Sequence, residues 1–154
     1  MVGDKKVVAA LQGLLKAELT AIHQYTAQSR LFLNDGYRRL GEAEFRRAYD
    51  EMRHAKALMA RLALLGAAPA VSEVDRVGVV AEPAPAIASD TELEGDAIDL
   101  YNQAIGVCTA AGDSDTRRLL EHNLGDEVRH LRKLEAYATQ IAGMGLANFL
   151  GTIA

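Results

Sequence analysis

The chain has 154 residues, 49% of them apolar and 25% charged, the size and balance of one domain with a single sizeable core. Seventeen basic against twenty-one acidic residues give a net charge of −4 with no basic run, so nucleic acid is not an expected partner. The single cysteine, Cys108, excludes an internal disulfide framework and any four-cysteine metal site, and no apolar stretch is long enough for a secretory leader or a membrane span, which predicts a cytoplasmic protein with no membrane partner.

From about Asp4 to Asn34 there is no proline, and Leu11, Leu15, Ile22, Tyr25 and Phe32 fall near helical spacing, which predicts one long helix ended at Asp35-Gly36. A second helix is expected from about Arg39 to Leu65, with Ala48, Ala55, Leu58, Leu62 and Leu65 on one face and Gly66 as its stop. Residues 66–88 hold Pro69, Pro83 and Pro85 and read as a long connection. Ser89-Asp90-Thr91-Glu92 fits a capping box, predicting a third helix from there to about Ala111 with Leu93, Ala97, Ile98, Tyr101, Ile105 and Cys108 inward. Cys108 on that stripe reads as a small buried apolar residue. Gly112-Asp113 breaks the pattern. A fourth helix follows from about Ser114 to Ile141 on Leu120, Leu124, Leu131, Leu134 and Ile141, and Leu146 to Ile153 forms a short fifth. Short links make helices one and two, and three and four, antiparallel hairpins. The 23-residue connection between them is long enough to traverse the molecule. The expected fold is all-α, a four-helix bundle with one long crossover between helices two and three and a short C-terminal helix, in a single domain over residues 1–154.

Two Glu-x-x-His pairs, Glu51/His54 and Glu127/His130, sit on helices two and four. Residues three apart on a helix lie about 60° apart around the axis, so both side chains of each pair can hold one metal ion. Glu18 lies four before Ile22 and seven before Tyr25; Glu94 stands four before Ile98 and seven before Tyr101. Four carboxylates therefore face one core, where each ionised group costs several kcal/mol unless compensated. No Lys or Arg is expected on these stripes, so divalent cations are the expected partners. One Glu from each of two helices plus a Glu-x-x-His from each of the other two is the ligand set of carboxylate-bridged two-metal bundles. Two imidazoles and four carboxylates without thiolate suit iron or manganese better than a closed structural zinc site, and two iron ions are the first choice. Bridged by Glu51 and Glu127, with Glu18 and Glu94 terminal, each ferrous ion could give one electron to dioxygen or peroxide.

These residues, with Gly3-Asp4, Glu18-Leu19-x-Ala21-Ile22-x-Gln24-Tyr25, Asp50-Glu51-Met52-x-His54-Ala55, Asp126-Glu127-x-x-His130 and Met144-Gly145-Leu146-x-Asn148, resemble the bacterioferritin family over essentially the full chain. The resemblance implies a ferritin-like fold, ferroxidase activity, iron storage, and assembly of twenty-four subunits from dimers into a hollow shell, alone or with a paralogous subunit. It also implies haem b shared between two subunits with Met52 as axial ligand, and a ferredoxin-like reductant that releases iron. Met52 itself lies on a second apolar stripe with Phe45, Tyr49 and Met59, which could face a partner or pack in a dimer interface. Tyr25 is expected near the two metals, as a hydrogen-bond or electron donor or as a core tyrosine. By resemblance Asp50 matches an inner-surface iron position whose companion is a histidine; Arg46 stands there instead, and a guanidinium does not ligate iron. His23 and His122 match no metal position. Two other readings compete with the ferroxidase: a haem-binding or scaffold subunit of a mixed shell, and a di-iron peroxide-consuming enzyme on the same fold.

Overall fold

Residues 3–153 are described by a computed structural model. Helix α1 (Lys5–Asn34) starts where the Asp4 carboxylate accepts from the backbone N–H groups of Lys6 and Val7 at 2.7 and 3.2 Å. It turns through Asp35-Gly36 into α2 (Arg38–Leu64). Helix α3 (Pro83–Ala111) ends at Gly112, whose φ of 68° is the left-handed conformation a helix stop requires, and Asp113 then caps α4 (Ser114–Met144) through the Thr116 N–H at 3.0 Å. A short α5 (Leu146–Ile153) follows. Helix α1 packs chiefly on α2 and α3 on α4, giving the expected four-helix bundle with a crossover.

One boundary departs from expectation. Helix α3 begins at Pro83, six residues before the capping-box sequence. Pro83 and Pro85 both fall in the first turn, where a missing N–H costs nothing because no intrahelical acceptor awaits it. Ser89 to Glu92 is therefore helix interior, and Asp90 is fully buried instead of capping.

The shortened connection, residues 65–82, runs along α1. Gln12, Lys16, Thr20 and Gln24 recur every four residues and form one stripe. Gln12 donates to the Ala68 carbonyl at 2.8 Å and accepts from the Ala70 N–H at 2.9 Å, and Lys16 pairs with Asp75 at 2.5 Å. Thr20 Oγ1 accepts from the Asp75 N–H at 2.9 Å and Gln24 Oε1 from the Gly78 N–H at 3.2 Å. The strap thus satisfies its backbone through side chains of the helix it crosses.

The core is apolar at both ends and polar in the middle. One end gathers Val7, Leu11, Leu15, Leu58, Leu62, Tyr101, Cys108 and Leu120, all buried; the other gathers Phe32, Leu40, Ala86, Ile87, Leu134 and Phe149. A fully buried Leu or Phe contributes roughly 1.5–3 kcal/mol, so these ends hold the bundle around a centre that opposes folding. Among the described residues no helix is long and apolar enough to cross a membrane.

Candidate metal centre

Between the apolar ends the four long helices each turn carboxylates inward. Glu18 of α1, Glu51 and His54 of α2, Glu94 of α3, and Glu127 and His130 of α4 are all buried. Ligand atoms of Glu18, Glu51, His54 and Glu127 lie within 4.8 Å of one another, and so do those of Glu51, Glu94, Glu127 and His130. The two groups share Glu51 and Glu127, one carboxylate from each Glu-x-x-His helix.

The unpaired atoms point at the same places. Both oxygens of Glu51, Oε2 of Glu94, Oε1 of Glu127 and Nδ1 of His54 and His130 are buried without a hydrogen-bond partner. The two Nδ1 atoms approach carboxylate oxygens at 2.9 to 3.6 Å, close enough for charge attraction but not directed as hydrogen bonds. Buried unsatisfied polar atoms are rare because each forfeits its hydration. Six in one cluster, all lone-pair donors to a cation, fit a pair of metal ions.

Outer contacts fix each imidazole. His54 Nε2 lies 3.1 Å from Asp126 Oδ2, and His130 Nε2 lies 3.1 Å from Asp50 Oδ2. A carboxylate on the remote nitrogen places that proton there and leaves Nδ1 for the metal. Asp126 and Asp50 each immediately precede the glutamate of the opposite helix's pair, so the two hairpins lock each other's histidines. Sequence reasoning missed Asp126 in this role. Asp50, expected at an inner-surface iron position, lies 3.1 Å from His130 Nε2 and accepts from Arg53 at 3.2 Å, and it belongs to neither four-residue group among the described residues.

Two tyrosines brace the terminal carboxylates. Tyr25 donates to Glu94 at 2.5 Å, and Tyr101, itself accepting from Asn123 at 3.2 Å, donates to Glu18. Burial and the adjacent carboxylates hold both phenols well above their usual range, so they remain donors. Burial pushes the Glu18 carboxyl up to about 7 and raises Glu94 as well. Burial also disfavours charge on the His130 imidazole, but Glu127, Glu51 and Glu94 outweigh it and raise it to about 12; His54 is raised likewise by Glu127, Glu18 and Glu51. Without metal, the cluster holds protons in place of cations.

A second buried network lies beside Tyr25 and corrects the expectation that no cation shares these stripes. Arg47, four residues before Glu51, is buried, donates to Glu44 at 2.8 Å, and stands 3.7 and 3.8 Å from Asp90 and Glu94. Its guanidinium lies 5.0 Å from the Tyr25 ring centroid, and Gln24 and Gln28 donate to Asp90 at 2.8 to 3.2 Å. Its neighbour Arg46 is exposed.

A cavity of about 240 Å³ reaches the cluster between α1 and α3. Its lining runs from Glu18, Glu51, Glu94 and Glu127 past Leu93 and Ala97 to the exposed Asp75, Arg76 and Asp96. Met52 lies outside this site, half exposed on α2 beside the exposed Phe45 and Tyr49, while Met59 is partly buried against the core. His23 and His122 are exposed.

A match to the ferritin-like domain covers residues 8–144. The chain is 33% identical to the bacterioferritin of Streptomyces coelicolor over 153 residues, covering 99% of this chain and 92% of that protein. It is 34% identical to the bacterioferritin of Mycobacterium leprae over 145 residues, 94% of this chain and 89% of that one, and 30% identical to that of Rhodobacter capsulatus over 149 residues, 97% and 92%. The chain belongs to the bacterioferritin family. The matched span covers both hairpins and the strap between them.

Proposed function

We propose that this protein is a ferroxidase and iron store. The observation that carries the reading is the pair of four-ligand groups sharing Glu51 and Glu127, lined with unpaired buried donor atoms. Fe(II), the substrate, enters by the cavity between α1 and α3 and is taken by Glu18 and His54 on one side and Glu94 and His130 on the other, with Glu51 and Glu127 between them. Each ferrous ion loses one electron, and the pair reduces dioxygen to hydrogen peroxide or hydrogen peroxide to water. The residues supply position and charge: four carboxylates stabilise the trivalent product over the divalent substrate, Tyr25 and Tyr101 hold the terminal carboxylates, and Asp50 and Asp126 hold the imidazoles.

Assembly of twenty-four subunits into a shell gives the ferric product a place to accumulate as mineral. Met52 would hold haem b with its counterpart in a second subunit, its thioether standing among Phe45 and Tyr49 on an otherwise unexplained apolar surface. The haem would supply one-electron transfer, with a ferredoxin-like protein as donor for iron release.

Anaerobic loading of metal-free protein with Fe(II), followed by oxidant, tests the main reading. A fast absorbance phase saturating at about two irons per subunit is expected, slowed at least tenfold by Glu94→Ala or Glu127→Ala. Unchanged kinetics in both variants would remove the assigned site, and stable metal binding without a fast phase would favour a haem or scaffold role. Met52→Ala is expected to abolish the haem Soret band on reconstitution while leaving the rapid iron phase; a retained band overturns the axial assignment.

A further inference from the structure

A recess of about 260 Å³ lies on the α2/α4 face, beside the buried cluster. Ala43, Arg46, Arg47 and Asp50 of α2 line it with Arg129, His130 and Lys133 of α4. Arg46 and Asp50, and Arg129 and Lys133, are each four residues apart, so each pair projects from one side of its helix. The charges do not balance. Arg47 is buried against Glu44 at 2.8 Å, and Arg129 pairs with Asp126 at 2.7 Å but is 3.9 Å from Asp50. Arg46 and Lys133 form no ion pair among the described residues, Lys133 only standing 5.7 Å from the Tyr137 ring centroid. Asp50 is the one carboxylate in the lining, and His130 and Arg53 already engage it.

Three exposed cations around a concavity with a single, committed carboxylate concentrate positive potential there, although the chain as a whole carries −4. Two guanidinium forks and an ammonium, all donors and none an acceptor, match a tetrahedral oxyanion rather than a metal. We propose that this recess is a binding site for inorganic phosphate, held by Arg46, Arg129 and Lys133. His130 lines both the recess and the metal cluster, so phosphate bound here stands one side chain from the buried site. A nucleic-acid backbone offers the same phosphate chemistry, but concavity and the overall negative charge favour the small anion.

The test is calorimetric titration of the assembled, metal-free, full-length protein with inorganic phosphate in chloride buffer at fixed ionic strength. Saturable binding is expected, weakened about tenfold or more in Arg46→Gln/Lys133→Gln and kept within about threefold in Arg46→Lys/Lys133→Arg, which preserves the charge. Absence of saturable binding, or equal affinity in wild type and the glutamine variant, overturns the proposal, as does tighter binding of a short DNA duplex than of phosphate. Should the double glutamine variant fail to fold by circular dichroism, the single Arg46→Gln and Lys133→Gln variants carry the comparison, each expected to weaken binding and each overturning the site if it does not. Because no metal is present, the outcome is independent of whether the protein oxidises iron.

Discussion

At the residue scale, the centre of this bundle is a set of side chains that would be a liability without their partners. The glutamates were legible from their spacing, because a charged residue repeated on an apolar stripe demands compensation. Asp126, Tyr101 and Arg47 were harder to read: each follows helical spacing, but what it touches is decided across helices. The protonation states give a direct prediction. In the metal-free protein His54 and His130 are charged at neutral pH and Glu18 titrates near 7. Their folded values lie above the unfolded ones, so the stability they supply is complete below pH 4.5 for Glu18 and 6.5 for the histidines, and is lost as pH rises through the raised values. Metal needs the deprotonated forms. Zn(II), a redox-inert probe, should release about two to three protons per subunit at pH 7 in weakly buffered solution, with apparent affinity rising with pH. Binding without proton release would contradict the assigned protonation.

At the scale of the elements, α1 and the start of α2 press together at Gly41. Gly41 has no side chain there, and its carbonyl accepts from Ser29 Oγ at 2.7 Å. A Cβ at this position would lie 2.7 Å from Leu33 Cγ and 2.9 Å from the Ser29 carbonyl oxygen, the latter unable to yield because it is backbone. Gly41→Ala should therefore lower stability by roughly 1–3 kcal/mol despite alanine's better helix propensity. Chemical denaturation checks this; a neutral or stabilising result would mean the helices separate freely. Element existence and order followed from periodicity and from Gly and Pro. The start of α3 did not, since Ser89 to Glu92 carries a local capping signal that the long-range bonds of Gln24 and Gln28 to Asp90 override.

For the whole molecule, two apolar ends fold around a charged middle, so metal and fold are linked. Saturation with Zn(II) should raise the unfolding midpoint markedly, since a ligand at a hundred times its dissociation constant adds about 2.7 kcal/mol. The rise should be largest above pH 7, where fewer protons compete, and Glu127→Ala should abolish most of it; an unchanged midpoint in scanning calorimetry would separate the cluster from stability. What the sequence determined by itself was the helical architecture, the crossover and the inward placement of the six candidate ligand residues, because 3.6-residue periodicity and misplaced carboxylates are local signals. Only the tertiary structure decided which aspartate steadies which histidine, and that Arg47 is inside while Arg46 is outside. The two histidine–aspartate pairs join residues more than seventy positions apart, and their energies come from distances and burial that exist only once the hairpins close on each other.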